Sequence, residues 1–352
     1  MADTPAVSIL IPVYNTAKYL DRALDSVFAQ TRGDLEAVII DDASPDGLAD
    51  VTARRMPGEK RLRLVRHGEN RGTAAARRSG LQAARGEYIL CLDADDTIDP
   101  EAVGSLLETA GRTGADIVGF GARELRADGS RDPHGNTLDS TPFALEGGRI
   151  FDAVFRAHAY SWSLCLKMIR RSLFLKAEAE IPDSYCVFAE DFMHFTPIAY
   201  FARKLVMTGE IFYNYYQDVG ITGANTVSAA AFERAASMLN ALKNVRAFLE
   251  RQGLSGKYGA AFRAREKEQL RLLWKKRGAM AEADRPGADE YLKKHYDAER
   301  IETLFAGFAH EAPAAEPGLL KHLLRTESAP WKLLKRIQGA VRFRKSRAFY
   351  DC

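Results

Sequence analysis

The stretch YILCLDADDTIDP, residues Tyr88–Pro100, joins an apolar run to a group of closely spaced carboxylates. Tyr88–Leu92 is apolar throughout, which is typical of a buried strand. Asp93, Asp95 and Asp96 follow it almost without a break. Like charges at this spacing repel one another and favour protonation of their neighbours. The stretch therefore predicts that another feature of the protein stabilises these carboxylates.

Two features could offset that repulsion. Asp residues cap helices, and Thr97–Pro100 resembles the start of a helix. Alternatively, a divalent cation could bind the carboxylates, since Mg²⁺ takes one or two carboxylates together with substrate phosphates. A second acidic pair, Asp41–Asp42, also follows an apolar run, although on its own it could form only a turn before SPDG. Two acidic strand ends together favour the cation.

The first 120 residues alternate between strand and helix patterns. This alternation, with strands that are apolar throughout, predicts an α/β fold with a mostly parallel sheet covered by helices on both faces. Ligands of such sheets bind beyond the carboxyl ends of the strands. The unusual polar residues fall at those ends: Asn15, Asp41–Asp42, Asn70–Arg71 and Asp93–Asp96.

The composition argues against several classes of protein. A net charge of +3 over 352 residues does not point to nucleic acid as a partner. The four cysteines show neither metal-ligand nor pairing spacing, which predicts reduced thiols. We find no signal-peptide pattern at the start and no apolar run long enough to span a bilayer. Together these features predict a cytoplasmic protein.

Four segments of the chain form a recognisable set: VSILIPVYN, VIIDDASPDG, ENRGTAAARRSGLQAARGEYILCLDADDTIDP and FAEDFMHF. Together they resemble the family 2 glycosyltransferases of the GT-A fold, which are Rossmann-like and invert the anomeric carbon. The resemblance extends from Val7 to Ser228, and Asn70–Pro100 makes it specific. It implies a nucleotide-sugar donor, usually linked to UDP, and a Mn²⁺ or Mg²⁺ cofactor.

The resemblance also implies roles for individual residues. Those that match the family's nucleotide-sugar site are Pro12, Tyr14, Asp42, Asn70, Arg71, Arg77, Asp93 and Asp96. Within this set, Pro12 and Tyr14 would hold the base, Asp42 would bond to it, and Arg77 would face the nucleotide. Asp95 matches a metal ligand, with Asp93 beside it and Asp96 as an alternative. Glu190 and Asp191 match the family's catalytic pair, in which the Asp is the general base.

Simple chemistry supports that last assignment. An acceptor hydroxyl must lose its proton during the transfer, and a positioned carboxylate can take it. Apolar neighbours such as Phe188 and Phe192 would raise the pKa of Glu190 or Asp191 toward useful basicity. A salt-bridged or capping acidic pair at a helix start remains the alternative.

The acceptor side is less clearly marked. Trp162 and Lys167 lie in a segment that resembles the family's acceptor side, where Trp162 would stack on a sugar or simply belong to the core. Many relatives carry an Arg or His after the Tyr-rich strand to neutralise the diphosphate, but here Tyr216–Gln217 occupies that position. Arg71, Arg77 or Lys167 would have to supply the charge, or the activity is altered.

The C-terminal third predicts a helical appendage, so we divide the chain into a catalytic domain, 1–228, and a helical region, 229–352. Its tail, 330–352, is basic and amphipathic and contains Trp331. Such segments bind anionic membrane surfaces, although they can also pack on their own domain. This predicts peripheral contact with the inner face of the cell membrane.

The function predicted from sequence is metal-dependent transfer of a sugar, of the hexosyl or N-acetylhexosaminyl class, to a saccharide or lipid-linked glycan of the cell envelope. A nucleotidyltransferase would share the acidic strand ends and Mg²⁺, but it favours a Gly-rich phosphate loop, which IPVYNTAKYL lacks. A catalytically silent scaffold that binds nucleotide-sugar or glycan is the third hypothesis.

Overall fold

A computed structural model describes residues 4–131, 137–156, 160–217 and 227–310. The predicted membrane-binding tail, 330–352, and Cys352 lie outside these residues. The strands are β1 Val7–Val13, β2 Leu35–Asp41, β3 Leu62–Arg66, β4 Tyr88–Cys91, β5 Thr97–Ile98, β6 Ile117–Leu125, β7 Thr137–Leu138, β8 Phe143–Glu146, β9 Lys167–Arg170 and β10 Lys204–Tyr216. The helices are α1 Ala17–Phe28, α2 Leu48–Arg55, α3 Thr73–Ala83, α4 Ala102–Thr113, α5 Gly148–Phe155, α6 Arg171–Glu178, α7 Glu190–Phe201, α8 Ala229–Ala236, α9 Met238–Arg251, α10 Ser255–Gly278, α11 Arg285–His295 and α12 Ala298–His310.

All these strands join one mixed sheet in the order β3-β2-β1-β4-β9-β6-β10-β5, with β7 paired to β6 and β8 paired to β10. β3, β2, β1 and β4 run parallel to one another, as the alternating pattern predicts. β9 lies antiparallel between β4 and β6, and β10 runs parallel to β6. The predicted α/β fold with helices around the sheet is confirmed.

Helix packing follows the apolar spacing of the sequence. On α1, Leu20, Leu24 and Val27 are buried and recur at the spacing of one helix face. β1 and β2 are buried along almost their whole length because helices cover both faces of the sheet. This packing fixes the carboxyl ends of β1 and β4 beside each other.

Two local predictions differ from the structure. Thr97–Ile98 does not start a helix; it forms β5, which pairs with Tyr213 and Asn214 of β10. The chain then turns into α4, which begins at Ala102. In addition, the sequence from Ala230 to Gly253 has one long helical pattern, but the structure has two helices there, α8 and α9, which meet at Ser237.

One hydrophobic core continues across the predicted boundary at residue 228. Phe232, Leu242 and Phe248 of the C-terminal helices are buried in the same cluster as the strands of the sheet. Within the described ranges, no helix is both long enough and apolar enough to cross a membrane. The three described cysteines are buried, free thiols: Cys91, Cys165 and Cys186.

Candidate active site

A cavity of about 520 Å³ opens at the carboxyl ends of β1 and β4 and at the N-terminus of α7. Its position agrees with the general rule for α/β sheets. It brings together eight residues that the sequence predicts for the site: Pro12, Tyr14, Asp42, Arg77, Asp93, Asp95, Glu190 and Asp191. Residues that are far apart in the chain thus line one pocket that is rich in carboxylates.

The three carboxylates after β4 have three different environments. Asp96 is buried and is not among the residues that line the cavity; it accepts hydrogen bonds from the Tyr213 hydroxyl at 2.7 Å and the Tyr216 backbone N–H at 2.9 Å. Asp93 forms an ion pair with Arg77 at 3.2 Å. Asp95 lines the cavity, and burial, followed by the charge of Asp93, raises its pKa to about 6. Hydrogen bonds to Asp96 and the ion pair of Asp93 offset part of the repulsion, and the remainder contributes to the raised pKa of Asp95.

Arg77 of α3 is the cation at the centre of the site. Its side chain is only 2% exposed, and its guanidinium lies 2.8 Å from Glu190, 2.6 Å from Asp191 and 3.2 Å from Asp93. We call these four residues the Arg77 cluster. A guanidinium presents several N–H donors in a rigid fork, so it can bond to several carboxylates at once. The cluster fixes the acidic pair of α7 against the acidic end of β4.

The acidic pair begins α7. Ala189 precedes it with φ of 61°, a left-handed conformation that is uncommon for a residue with a side chain. This turn places Glu190 and Asp191 in the first turn of the helix, where the helix dipole favours negative charge. The pair is salt-bridged, as the alternative interpretation expected, but it also lines the cavity.

Glu190 has a strongly perturbed pKa in this site. Burial, followed by the charge of Asp191, raises the pKa of Glu190 to about 8. A single guanidinium charge cannot neutralise three carboxylates, so one of them retains a proton near neutral pH. The raised pKa favours a protonated Glu190.

Asp42 organises the loop beside the predicted base site. Its buried carboxylate accepts hydrogen bonds from the backbone N–H groups of Arg71 and Gly72 and lies 2.7 Å from Nδ1 of His67. Gly72 has φ of 85°, and a Cβ there would lie 3.0 Å from the Cys186 carbonyl oxygen. The contact between His67 and Asp42 could not be predicted from sequence, because the two residues are 25 positions apart and share no recognisable motif.

Several predicted residues lie outside the main cavity. Asn70 lines a neighbouring cavity of about 190 Å³ together with Tyr14, Asp42 and Arg234. Arg71 pairs with Asp183 at 2.8 Å. Thus neither residue is brought to the Arg77 cluster.

The two acceptor-side candidates, Trp162 and Lys167, contact other residues of the protein. The Trp162 ring centre lies 5.1 Å from that of Phe192 and 4.5 Å from the guanidinium carbon of Arg265. Lys167 is fully buried and donates hydrogen bonds to the carbonyl oxygens of Ser161 and Ser163 at 2.7 and 2.8 Å. Lys167 thereby holds the segment that carries Trp162, and burial lowers its pKa to about 8.

No cluster of three or more His, Cys, Asp or Glu side chains suited to a metal occurs within the described ranges. The donor set of Asp93 and Asp95 nevertheless fits Mg²⁺ or Mn²⁺, because such ions use one or two carboxylates and take their remaining ligands from phosphates and water. Both side chains line the cavity.

Lys18 and Tyr19 of α1 also line the cavity, although no sequence motif predicted them for the site. Arg22, one turn further along α1, donates to the backbone carbonyl of Asp95 at 2.5 Å. The spacing of Lys18 and Arg22, four residues apart, is the signal that could have shown a shared basic face.

Comparison with known proteins agrees with this arrangement. Residues 8–174 match the family model described as "Glycosyl transferase family 2". The "Uncharacterized glycosyltransferase EpsJ" of Bacillus subtilis is 30% identical over 195 residues, which cover 53% of this chain and 54% of that protein. The "Succinoglycan biosynthesis protein ExoO" of Rhizobium meliloti is 36% identical over 129 residues, covering 35% of this chain and 36% of that protein. The chain thus spans about half or less of the length of these relatives.

Among solved structures, S. aureus TarS 1–349 in complex with UDP-GlcNAc superposes with a TM-score of 0.54 at 18% identity. The superposition covers 86% of this chain and 91% of that one. At this identity the likeness shows the fold, which is GT-A, as the sequence predicted. The chain is thus similar to glycosyltransferase family 2 over residues 8–174, a little under half of its length.

Proposed function

We propose that the protein transfers a sugar from a nucleotide donor, linked to UDP, to a hydroxyl group of a saccharide or lipid-linked glycan, with inversion. The observation that carries this proposal is that Asp93, Asp95, Glu190 and Asp191 meet in one cavity. In the reaction the bond from the anomeric carbon to the diphosphate oxygen breaks as the acceptor oxygen bonds to that carbon. The acceptor proton passes to Asp191, and the diphosphate leaves with the electron pair.

The names of relatives support a proposal for the sugar and its destination. TarS was solved with UDP-GlcNAc, and a matched relative is named for succinoglycan biosynthesis. These names support a hexosyl or N-acetylhexosaminyl donor and a role in polysaccharide synthesis at the cell envelope.

Asp95 and Asp93 would hold Mn²⁺ or Mg²⁺, which when bound would supply positive charge to the leaving diphosphate. We expect Asp95→Ala to remove the Mn²⁺-dependent part of UDP binding while leaving the unfolding temperature unchanged. Calorimetric titration of UDP with and without Mn²⁺ measures this. An unchanged Mn²⁺ effect in the variant would exclude Asp95 as a ligand.

A thermal-shift panel of nucleotide-sugars, with and without Mn²⁺, tests the proposed function. A ligand that binds only the native state raises the apparent stability, so UDP-sugars should raise the unfolding temperature. No response to any nucleotide-sugar would contradict the proposal. Stabilisation by nucleoside triphosphates alone would favour a nucleotidyltransferase, and binding without transfer to any acceptor would favour the scaffold.

We also propose that residues 330–352, which lie outside the described part of the chain, hold the protein at the inner face of the cell membrane. Basic residues near an anionic surface contribute about 1 kcal/mol each. Deletion of these residues should reduce sedimentation with anionic vesicles at low salt and leave UDP binding unchanged. Equal sedimentation of both forms would rule out this role.

A further inference from the structure

The cavity has a charge problem if it binds a nucleoside diphosphate, which is the donor class of the proposed function. Asp42, Asp93, Asp95, Glu190 and Asp191 line it, and a diphosphate adds further negative charge. Arg77 and Lys18 are the cationic side chains that line this cavity in the described part of the chain. Among the described residues, these two side chains are therefore the ones placed in the cavity to bind the diphosphate directly, in addition to any metal.

Arg77 is already committed to other groups. Its guanidinium contacts three carboxylates, and its side chain is almost completely buried. The other cations suggested by the sequence do not line this cavity: Arg71 lies outside it and pairs with Asp183, and Lys167 is buried against two carbonyl oxygens. None of them is free to neutralise a bound diphosphate.

Lys18 differs from these residues. It is exposed, and the contact that the structure gives for its ammonium group is with the neighbouring Tyr19 ring, whose centre lies 4.7 Å away. No carboxylate lies within ion-pair distance of it in the described ranges. Its long side chain can therefore turn toward a ligand without breaking an ion pair.

The helix face that carries Lys18 points toward the end of β4. Arg22, four residues later on the same face, donates to the Asp95 carbonyl oxygen, and its guanidinium carbon lies 3.5 Å from the centre of the Tyr216 ring. Four residues of α-helix rise about 6 Å, so Lys18 lies one turn away from this contact. Arg22 and Tyr216 thus fix α1 relative to Asp95.

We propose that Lys18 binds the diphosphate of the donor and that Arg22, held against Tyr216, positions the helix face from which Lys18 reaches it. This inference rests on the proposed function, because it names the cation for the same nucleotide site. It also explains how a chain with Tyr216 after the Tyr-rich strand can neutralise a diphosphate: the positive charge comes from α1.

The test compares a nucleoside diphosphate with its nucleoside. Wild-type protein is first titrated with UDP, GDP, ADP and CDP in Mn²⁺ buffer, and the tightest of these is then compared with its nucleoside by ligand-observed NMR. Lys18→Gln should weaken diphosphate binding about tenfold, the scale of one charge-assisted hydrogen bond, and leave nucleoside binding unchanged. Lys18→Arg should restore most of the loss. Lys60→Gln, which removes an exposed lysine outside the cavity, should have no effect.

Diphosphate affinity within twofold of wild type in Lys18→Gln would overturn this inference and leave the proposed function standing. An equal loss for nucleoside and diphosphate would overturn it too, since the effect would then lie on the base or the fold. If the wild-type protein binds none of the four diphosphates, the proposed function fails and the inference fails with it.

Discussion

At the scale of single residues, Arg77 shows what the sequence can predict about the site and what it cannot. The motif around it predicts a nucleotide-facing arginine, and the structure does place it in the cavity wall. Its partners Glu190 and Asp191 follow 113 and 114 residues later. Because no local pattern links positions so far apart, the Arg77 cluster could not be predicted, although each of its members could.

The raised pKa of Glu190 predicts a specific pH dependence of stability. In the folded protein Glu190 keeps its proton up to about pH 8. In the unfolded chain the same carboxyl group has its ordinary pKa and is already ionised above about pH 5. Unfolding therefore releases a proton between about pH 5 and pH 8, and this group makes the protein less stable as pH rises. As pH rises over this range, we expect the free energy of unfolding of Glu190→Gln to fall by about 1 kcal/mol less per pH unit than that of the wild type.

Urea unfolding at pH 5.5, 6.5 and 7.5 measures this difference. Glu108→Gln, which changes an exposed glutamate on α4, serves as the control and should follow the wild type. Parallel stability curves for the wild type and Glu190→Gln would show that Glu190 is ionised in the folded protein.

At the scale of elements, the alternation of helices and strands predicts β1 to β4 and their helices correctly because these units are local in sequence. β9 could not be predicted to lie between β4 and β6, since it is only four residues long and inserts from a distant part of the chain. β5 has two residues, too few for any periodicity. Tertiary pairing with β10, rather than propensity, decides the structure there.

The segment that carries Trp162 connects α10 to the start of α7. Trp162 contacts Arg265 of α10 on one side and Phe192, the neighbour of Asp191, on the other. We expect Trp162→Leu to lower the free energy of unfolding by about 2 kcal/mol, because a packed aromatic ring and a cation–π contact are lost. The turnover rate should also fall, while the KM for the acceptor should stay the same.

Denaturant unfolding and steady-state kinetics on one preparation separate these effects. Trp274→Leu is the matched control, since Trp274 packs against Phe308 away from the cavity and should affect stability alone. A higher acceptor KM with unchanged stability would instead mean that Trp162 stacks on the sugar.

At the scale of the whole molecule, the C-terminal helices share the core of the sheet. Truncation after residue 228 would expose the apolar surface of the core against which Phe232, α9 and α10 pack. We therefore expect residues 1–228 alone to lack a cooperative urea transition by circular dichroism, whereas residues 1–310 should keep one. Cooperative unfolding of 1–228 would show an independent domain, as the sequence suggested.

The location of the site could be predicted at this scale because the rule for α/β sheets depends on topology alone. Acidic residues after β2 and β4 predicted the edge, and the cavity lies there. The contribution of the basic face of α1 to the site could not be predicted from sequence. Lys18 and Arg22 resemble ordinary exposed cations, and only the fold places this face beside Asp95.

The most direct measurement is the rate of acceptor-dependent UDP release by the wild type and by Asp191→Asn, together with the donor affinity of each. Asn has nearly the same size as Asp but cannot take the acceptor proton as a carboxylate does. We predict a loss of turnover of about 10²–10⁴-fold with donor affinity unchanged, and a smaller loss for Glu190→Gln. Wild-type turnover in Asp191→Asn would contradict the account, because the acceptor proton would then pass to another group.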